Sequence, residues 1–123
     1  MLVTEAERKE YGLNILKQVL SALHDKRFAD INTYVDEHSM EAEDYEEYIQ
    51  GTVDDHELNV IDEYDSEREP KDDFDYGIPP SVFLYLEYDI TADGGEYADM
   101  CLRLEVEFRE DGKIKSSLDM QPA

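Results

Sequence analysis

Residues 98–108 have the sequence ADMCLRLEVEF, and this stretch decides the fold. Every second residue from Ala98 to Phe108 is apolar, and four of the five residues between them are charged. Because successive side chains of a β-strand point to opposite faces of its sheet, this alternation predicts a strand with one face in the core. Residues 82–90, VFLYLEYDI, show the same alternation, and the turn sequence Asp93-Gly94-Gly95 joins the two strands as antiparallel neighbours.

A second turn, Glu110-Asp111-Gly112, follows the long strand and sets the register of the next one. Glycine suits the left-handed backbone at the third position of such a hairpin turn. The register that this turn predicts also brings apolar residues onto one face, so the turn chemistry and the hydrophobic pattern agree. The predicted pairs are Phe108 with Ile114, Glu107 with Lys115, Val106 with Ser116, and Leu104 with Leu118.

The N-terminal part of the chain has a helical pattern. Thr4 and Glu7 have the T-x-x-E spacing of a capping box, in which each side chain accepts a hydrogen bond from a backbone N–H of the first turn. Apolar residues then recur at helical spacing from Tyr11 to Leu23. Together these signals predict a helix over residues 5–24.

Two shorter helices are predicted after the first one. Residues 28–36 keep a spacing of three or four between apolar side chains, which indicates a second helix. A third helix can begin at Ser39 or Glu41, with Tyr45 on its apolar side. Because glycine is favoured just past a helix end, we expect this helix to stop at Gly51.

The pattern between the helices and the sheet is mixed. Leu58, Val60, Ile61 and Tyr64 fit a helical turn or a strand, and we predict a strand over residues 57–64. Residues 65–76 have almost no aliphatic side chains, so we predict a surface loop or a mobile hairpin there. The prolines that follow restrict the backbone to an extended form, which leads the chain into the sheet.

This order of elements predicts an α+β fold, in which N-terminal helices pack on one face of a curved antiparallel sheet of three to four strands, ending in a C-terminal meander. We expect a single domain over residues 1–123. Its parts would be a helical region at 4–51, an acidic irregular or strand segment at 52–80, and an antiparallel sheet at 81–120. The order resembles the cone-shaped fold of nuclear transport factor 2 and ketosteroid isomerase.

Acidic residues are concentrated in the middle of the chain. The whole chain has 33 acidic and 11 basic residues, for a net charge of −22. Residues 36–75 hold eighteen acidic residues against Arg68 and Lys71, a net charge of −16, whereas residues 1–35 are neutral. Because phosphate binding needs clusters of Lys and Arg, this composition argues against direct binding to nucleic acid or anionic lipid. It favours a cationic partner, which can be a basic protein, a polyamine or metal ions.

The chain is expected to be cytoplasmic. No apolar run approaches the ~20 residues of a membrane-spanning helix, and no basic stretch precedes an apolar one as in a signal peptide. The single cysteine, Cys101, excludes an internal disulfide and is consistent with a reducing compartment. The sequence leaves the oligomeric state open.

No pattern of catalytic or metal-binding residues is visible. His24, His38 and His56 lack zinc-site spacing, and no calcium-loop sequence occurs, so we expect no metal and no cofactor. Cys101 is predicted to point outward and to be chemically passive. Tyr88 is predicted to be the one polar residue on the inward face of the two long strands, as a buried tyrosine bonded to backbone. We therefore expect a protein that is not an enzyme; the alternative is a small-molecule-binding or enzymatic domain centred on Tyr88.

The acidic segment from Asp54 to Asp75 is the candidate partner-binding region, whereas the carboxylates of Asp36–Gln50 are expected to lie on the solvent side of helices. The carboxylates of Asp54–Asp75 would steer a basic partner into contact. The aromatic residues among them, Tyr64, Phe74 and Tyr76, would supply anchors, since Tyr is enriched at interface hot spots; the alternative is that they brace a loop. The predicted partner-binding residues are Asp54, Asp55, Glu57, Asp62, Glu63, Tyr64, Asp65, Glu67, Asp72, Asp73, Phe74, Asp75 and Tyr76.

In size, acidity, the Asp54–Asp75 cluster and helix-then-sheet order, the chain resembles the small acidic immunity proteins of bacterial toxin systems, including those of contact-dependent growth inhibition. This resemblance implies a cytosolic, non-enzymatic inhibitor that binds one cognate toxin domain, often a nuclease, and covers its active site. A further alternative is a nucleic-acid mimic that regulates a different target.

Overall fold

The structure, a computed structural model, describes residues 4–122, and the fold is α+β as the sequence predicted. Three α-helices precede the main part of the sheet, and a two-residue strand lies between the second and third helices. In chain order the elements are α1 (Glu5–His24), α2 (Phe28–Ile31), a 3-10 helix (Asn32–Tyr34), β1 (Glu37–His38), α3 (Ala42–Asp55), β2 (Lys71–Ile78), β3 (Ser81–Ala92), β4 (Glu96–Phe108) and β5 (Ile114–Pro122).

Helix α1 has the predicted bounds and the predicted N-terminal cap. The Thr4 hydroxyl oxygen accepts the Glu7 N–H at 3.1 Å, and the Glu7 carboxylate accepts the Thr4 N–H at 3.2 Å. The apolar stripe of this helix packs on β3 and β4. Gly12 allows the close approach, because a Cβ atom at this position would lie 2.8 Å from Cδ1 of Leu86.

The five strands form one sheet in the order β1-β5-β4-β3-β2. Strands β2 to β5 are an antiparallel meander, and β1 runs parallel to β5. The sheet therefore has one strand more than the predicted three to four. All four predicted pairs between β4 and β5 are present, from Phe108 opposite Ile114 to Leu104 opposite Leu118.

The second helix is shorter than predicted. The helix expected over residues 28–36 ends at Ile31 and continues only as the 3-10 helix to Tyr34. The chain then bonds to β5, because the Asp36 carboxylate accepts the Ser116 N–H at 2.7 Å. Pairing with this sheet edge requires extended backbone, so it stops the helix and creates β1.

The third helix is longer than predicted. It begins after Glu41, one of the two expected starts, but it continues through Gly51 to Asp55 instead of ending at the glycine. Val53 is buried one turn beyond the buried Ile49. This burial outweighs the helix-propensity cost of a glycine, which is about 1 kcal/mol.

Residues 57–64 do not form the predicted strand. Among these residues, all of which are described, Ile61 alone makes a β-bridge, with Ala92. The Asp93 carboxylate accepts the N–H groups of Asn59, at 3.1 Å, and Val60, at 2.9 Å. The Asp93 side chain therefore satisfies these two N–H groups, and backbone bonding to the end of β3 is limited to Asp62 N–H with the Thr91 carbonyl and Asp93 N–H with the Val60 carbonyl, each at 2.9 Å.

The segment predicted as a surface loop or a mobile hairpin, residues 65–76, contains most of strand β2. Residues 71–75 pair antiparallel with residues 83–87. Phe74 packs against the hydrophobic core, which anchors a strand that has almost no aliphatic residues. The single aromatic side chain of Phe74 was sufficient to hold β2 on the core. The sequence prediction considered only aliphatic residues and therefore missed this strand.

The helices lie on one face of the sheet. The alternating apolar residues of β3 and β4 point toward them, and those from Leu84 to Ile90 and from Ala98 to Phe108 are buried, while Val82 is half-buried. These residues share one hydrophobic core with the apolar sides of α1 and α3. The remaining side chains of each strand point to the opposite face of the sheet, away from the helices.

Candidate partner-binding surface

The side chains of β2 to β5 that point away from the helices, together with Glu37, form a surface called the open face below. Strand register aligns these residues in rows across the sheet. One row crosses all five strands and consists of Asp73, Tyr85, Glu105, Ser117 and Glu37. The next row consists of Lys71, Glu87, Arg103 and Asp119.

These two rows border a groove with a volume of about 520 Å³. A groove in a hydrogen-bonded sheet is a preformed concave surface, so a partner can bind it without reordering the backbone. The acidic residues that line it are Asp72, Asp73, Glu87, Glu105 and Asp119, and the basic ones are Lys71 and Arg103. The other lining residues are Tyr85, Leu86, Leu104, Ser117 and Gln121.

Some charges of the open face are paired with each other. Arg103 Nη2 lies 3.7 Å from Glu87 Oε1, and Lys115 Nζ lies 2.8 Å from Glu37 Oε1. Asp73 and Glu105 are exposed, and neither forms an ion pair with any residue between 4 and 122. The central row of the open face therefore keeps a negative charge that a basic partner can meet.

Tyr85 lies between these two carboxylates. Its side chain is 38% exposed, and its ring lies parallel to that of Phe83 with 6.3 Å between ring centroids. Partial burial and, after it, the charge of the nearby Glu105 and Asp75 raise the pKa of the Tyr85 hydroxyl. A tyrosine with an exposed ring beside charged groups is typical of an interface hot spot.

Sequence reasoning did not include the groove residues Tyr85, Glu87, Arg103 and Glu105 among the site residues. The alternation in β3 and β4 already pointed them away from the core. The missing information was that this face of the sheet is concave and continuous from β2 to β1, which follows from pairing between distant segments.

Strand β2 carries five of the predicted site residues, and they lie on both faces of the sheet. Asp73 and Asp75 belong to the open face, and the Asp75 carboxylate accepts the Gly77 N–H at 2.8 Å. Asp72, Phe74 and Tyr76 point toward the helices. Phe74 is half-buried, whereas the other two contact α1, as described next.

Asp72 and Tyr76 hold β2 against the start of α1. Asp72 Oδ2 lies 3.5 Å from Lys9 Nζ, although Asp72 also borders the groove. The Tyr76 hydroxyl donates to the Glu5 carboxylate, and this hydrogen bond raises the pKa of the tyrosine. Tyr76 is 50% exposed, so part of its ring is available for contact with a partner.

Asp62 has a structural role. Its carboxylate accepts the N–H groups of Gly94 and Gly95, each at 2.8 Å, and the Thr91 hydroxyl at 2.8 Å. It therefore holds the turn between β3 and β4, and its oxygens are occupied. The neighbouring Glu63 is exposed.

Tyr64, Asp65 and Glu67 lie in the loop that leads to β2. Tyr64 is half-buried, with its ring centroid 5.3 Å from that of Tyr88 and the Lys17 ammonium 5.5 Å from it. The Asp65 carboxylate accepts the Glu67 N–H at 2.9 Å, and Glu67 is exposed. Tyr64 thus braces the loop, and the two carboxylates lie on its outer side.

Asp54, Asp55 and Glu57 lie at the end of α3, away from the β2 residues, since α3 makes its sheet contacts with β4. All three are exposed. Between them, His56 Nε2 lies 2.7 Å from Asp99 Oδ2, and this hydrogen bond raises the pKa of the histidine. The structure therefore does not bring these three carboxylates together with the open face.

Tyr88 is buried and bonded to backbone, as predicted. Its hydroxyl accepts the Asp65 N–H at 3.1 Å and an Arg68 Nη2 hydrogen bond at 2.8 Å. The Arg68 guanidinium lies 4.6 Å from the Tyr88 ring centroid and also donates to the Asp89 carbonyl at 3.2 Å. Arg68 therefore clamps the acidic loop onto β3. A recess of about 280 Å³ lies beside this clamp, lined by Arg68, Glu69, Lys71, Glu87, Tyr88, Asp89 and Tyr97.

Cys101 points to the open face, as predicted, but it is only 2% exposed. Its Sγ lies 3.5 Å from Glu87 Oε1. Burial, and then the Glu87 charge, raise the pKa of the thiol to about 11, which disfavours the reactive thiolate.

Within residues 4–122, no three His, Cys, Asp or Glu side chains are arranged to hold a metal ion. No helix in that part of the chain is long and apolar enough to cross a membrane. No protein-family model matches the chain, and no curated protein is detectably similar to it.

Proposed function

We propose that this protein is a non-enzymatic, acidic binding protein that captures a basic protein partner on the open face. The more specific form of the proposal is that the partner is a cognate toxin domain with nuclease activity. The protein would then act as a cytoplasmic immunity protein that covers the toxin's active site. The supporting observation is the groove of about 520 Å³, which is lined by five acidic residues, two basic ones and Tyr85.

Charge alone would not make this interface strong. Exposed ion pairs contribute about 0–1 kcal/mol each, so the affinity must come mainly from buried contact around Tyr85 and Phe83. The carboxylates have a different effect, because they attract a basic partner before contact. Such steering raises association rates from ~10⁵–10⁶ toward ~10⁸ M⁻¹s⁻¹ at low salt.

A nuclease is the class of partner that fits this pattern best. Its cleft must bind phosphates and therefore carries Lys or Arg. The central acidic row would place Asp73 and Glu105 on either side of an aromatic anchor, in the manner of phosphates along a nucleic-acid strand. Occupying that cleft would exclude the nucleic acid without any chemistry.

The alternative centred on Tyr88 has less support. Both hydroxyl lone pairs of Tyr88 are engaged, one by the Asp65 N–H and one by Arg68. A role as catalytic base would require breaking one of these hydrogen bonds, because no lone pair is left to take up a proton, and the tyrosine is only 3% exposed. We therefore assign the recess beside it no function.

The test is capture of the partner with the immobilised protein from its native cells, followed by assay of purified components. We expect a basic protein whose binding weakens from ~50 to ~500 mM salt, because the Debye length falls over that range. Its nuclease activity should disappear when an equal amount of the acidic protein is added.

Two charge-reversal variants make the test specific to the open face. Glu105→Lys lies in the groove and should weaken binding strongly, whereas Glu46→Lys, on the exposed side of α3, should leave it nearly unchanged. Binding that is indifferent to salt, or equal loss in both variants, would contradict the proposal.

A further inference from the structure

Strand β2 forms one end of the sheet and is paired on one side only. Its residues 71–75 pair with β3, and within the described chain no strand lies on its other side. The opposite end of the sheet is different, because β1 covers part of the β5 edge through Glu37 and His38. Strand β2 is therefore the longer open edge.

The backbone of this edge can accept another strand. In an antiparallel edge strand, N–H and C=O groups of alternate residues point outward without partners. The regular part, Lys71–Asp75, is about 17 Å long, which is enough to pair with a short extended segment. Proline would block such pairing, but Pro70 and Pro79 lie outside the strand.

The charges along the β2 edge determine which kind of strand can pair with it. Asp72, Asp73 and Asp75 lie along β2 with Lys71 as its only base. A second copy of the chain, paired antiparallel with this edge, would bring the two Asp73 residues opposite each other or Asp73 opposite Asp75, depending on the register. Such a pair would also bring together two chains that each carry −22, which disfavours it. A strand with Lys or Arg would instead meet Asp73 and Asp75 with opposite charge.

We propose that the basic partner binds by adding a β-strand to the free edge of β2; this rests on the proposed function and specifies its binding mode. The added strand becomes the sixth of the sheet and extends the row Asp73, Tyr85 and Glu105. Its basic side chains on that face lie beside Asp73 and lead into the groove. Main-chain hydrogen bonds add to the affinity that contact around Tyr85 and Phe83 supplies, and the carboxylates determine which strands are accepted.

The experiment uses the full-length protein and two synthetic peptides. The first peptide is an octamer of alternating lysine and valine, and the second has the same sequence with every backbone amide N-methylated. The two carry the same charge, but only the first can donate backbone hydrogen bonds. Binding is followed by titration, and the location by hydrogen exchange of the β2 amides.

We expect the unmodified peptide to slow exchange of those β2 amides that are not bonded to β3. The N-methylated peptide should bind roughly tenfold more weakly or worse, because several backbone hydrogen bonds are lost. Asp73→Lys should weaken binding of the unmodified peptide about fivefold, the effect of losing one exposed ion pair. Glu46→Lys, which makes the same charge change on α3, should have little effect.

Equal binding of the two peptides would overturn the proposal, since charge alone would then explain it. So would protection of amides elsewhere, or a dimer of the protein with protected β2 amides in the absence of peptide. If these occur while the captured partner still loses binding in Glu105→Lys, the proposed function stands and only the binding mode is wrong. If no salt-sensitive basic partner exists, the proposed function fails whatever the peptides do.

Discussion

Tyr45 and Tyr88 are both buried tyrosines, but their hydroxyls differ in the hydrogen bonds that they form. Tyr45 is fully buried, and its hydroxyl has no hydrogen-bond partner among residues 4–122. The Tyr88 hydroxyl accepts hydrogen bonds from the Asp65 N–H at 3.1 Å and from Arg68 Nη2 at 2.8 Å. The same substitution, tyrosine to phenylalanine, should therefore change stability in opposite directions at the two positions.

The expected magnitudes follow from the state of each hydroxyl. A buried polar group without a partner costs about 1–3 kcal/mol, so Tyr45→Phe should raise the free energy of unfolding by about 1 kcal/mol. Tyr88→Phe removes two hydrogen bonds, one of them from a charged donor, and leaves both donors without their acceptor. It should lower the free energy of unfolding by about 2 kcal/mol.

Urea denaturation at neutral pH, followed by circular dichroism, measures both changes. If the slope of the unfolding free energy against urea concentration is unchanged, a shift in the midpoint reports a change in stability rather than a change in the unfolded state. A loss of stability in Tyr45→Phe comparable with that in Tyr88→Phe would refute the reasoning, because the Tyr45 hydroxyl would then be satisfied in the folded protein.

Four further predictions concern pH and helix packing. Burial raises the pKa of Tyr45 to about 12, above its ordinary value of 10.0, so stability should fall as pH rises between these values, and urea titrations should find a smaller fall in Tyr45→Phe. The hydrogen bond to Asp99 and, after it, the one to the Thr52 carbonyl raise the pKa of His56, so its stabilising contribution should be complete below pH ~6.5 and be lost as pH rises through the raised pKa. Thermal melts of Asp99→Asn across this range should show a smaller dependence on pH. Gly51→Ala should stabilise the protein by about 1 kcal/mol, because nothing lies within 4 Å of the added Cβ. Gly12→Ala should destabilise the protein by about 1 kcal/mol in the same melts, because the added Cβ would lie 2.8 Å from a buried leucine methyl of β3. This overpacking outweighs the gain in helix propensity. If Gly12→Ala were instead the more stable of the two alanine variants, the close contact between α1 and β3 would be contradicted.

The acidic segment from Asp54 to Asp75 had one predicted role, partner binding, and its carboxylates have several roles in the structure. Asp62 holds a turn, Asp72 pairs with α1, and Asp54 lies at the end of α3. Asp73 and Asp75 remain as the residues of the predicted site that belong to the open face. Sequence proximity grouped these carboxylates, but each one's position depends on which segment it pairs with.

The sequence by itself determined the elements whose signals are local. The capping box of Thr4 and Glu7 and the helical spacing up to Leu23 specified α1, because a helix is held by contacts within four residues. Alternation in β3 and β4 and the turn at Gly112 specified the meander and its register, because hairpin partners are adjacent in the chain. The fold class followed from these two parts.

Only the tertiary structure decided where the remaining segments pair, and with them the candidate site. Strand β1 exists because Glu37 meets Ser117, and β2 exists because Phe74 finds the core beside Leu84. Neither contact has a local signal in the sequence. The open face joins Asp73 on β2 to Tyr85 and Glu105 on β3 and β4, and its concave shape depends on the twist and curvature of the completed sheet. A surface assembled by long-range pairing is a property of the folded sheet, whereas periodicity in the chain reports only which side of one strand a residue occupies.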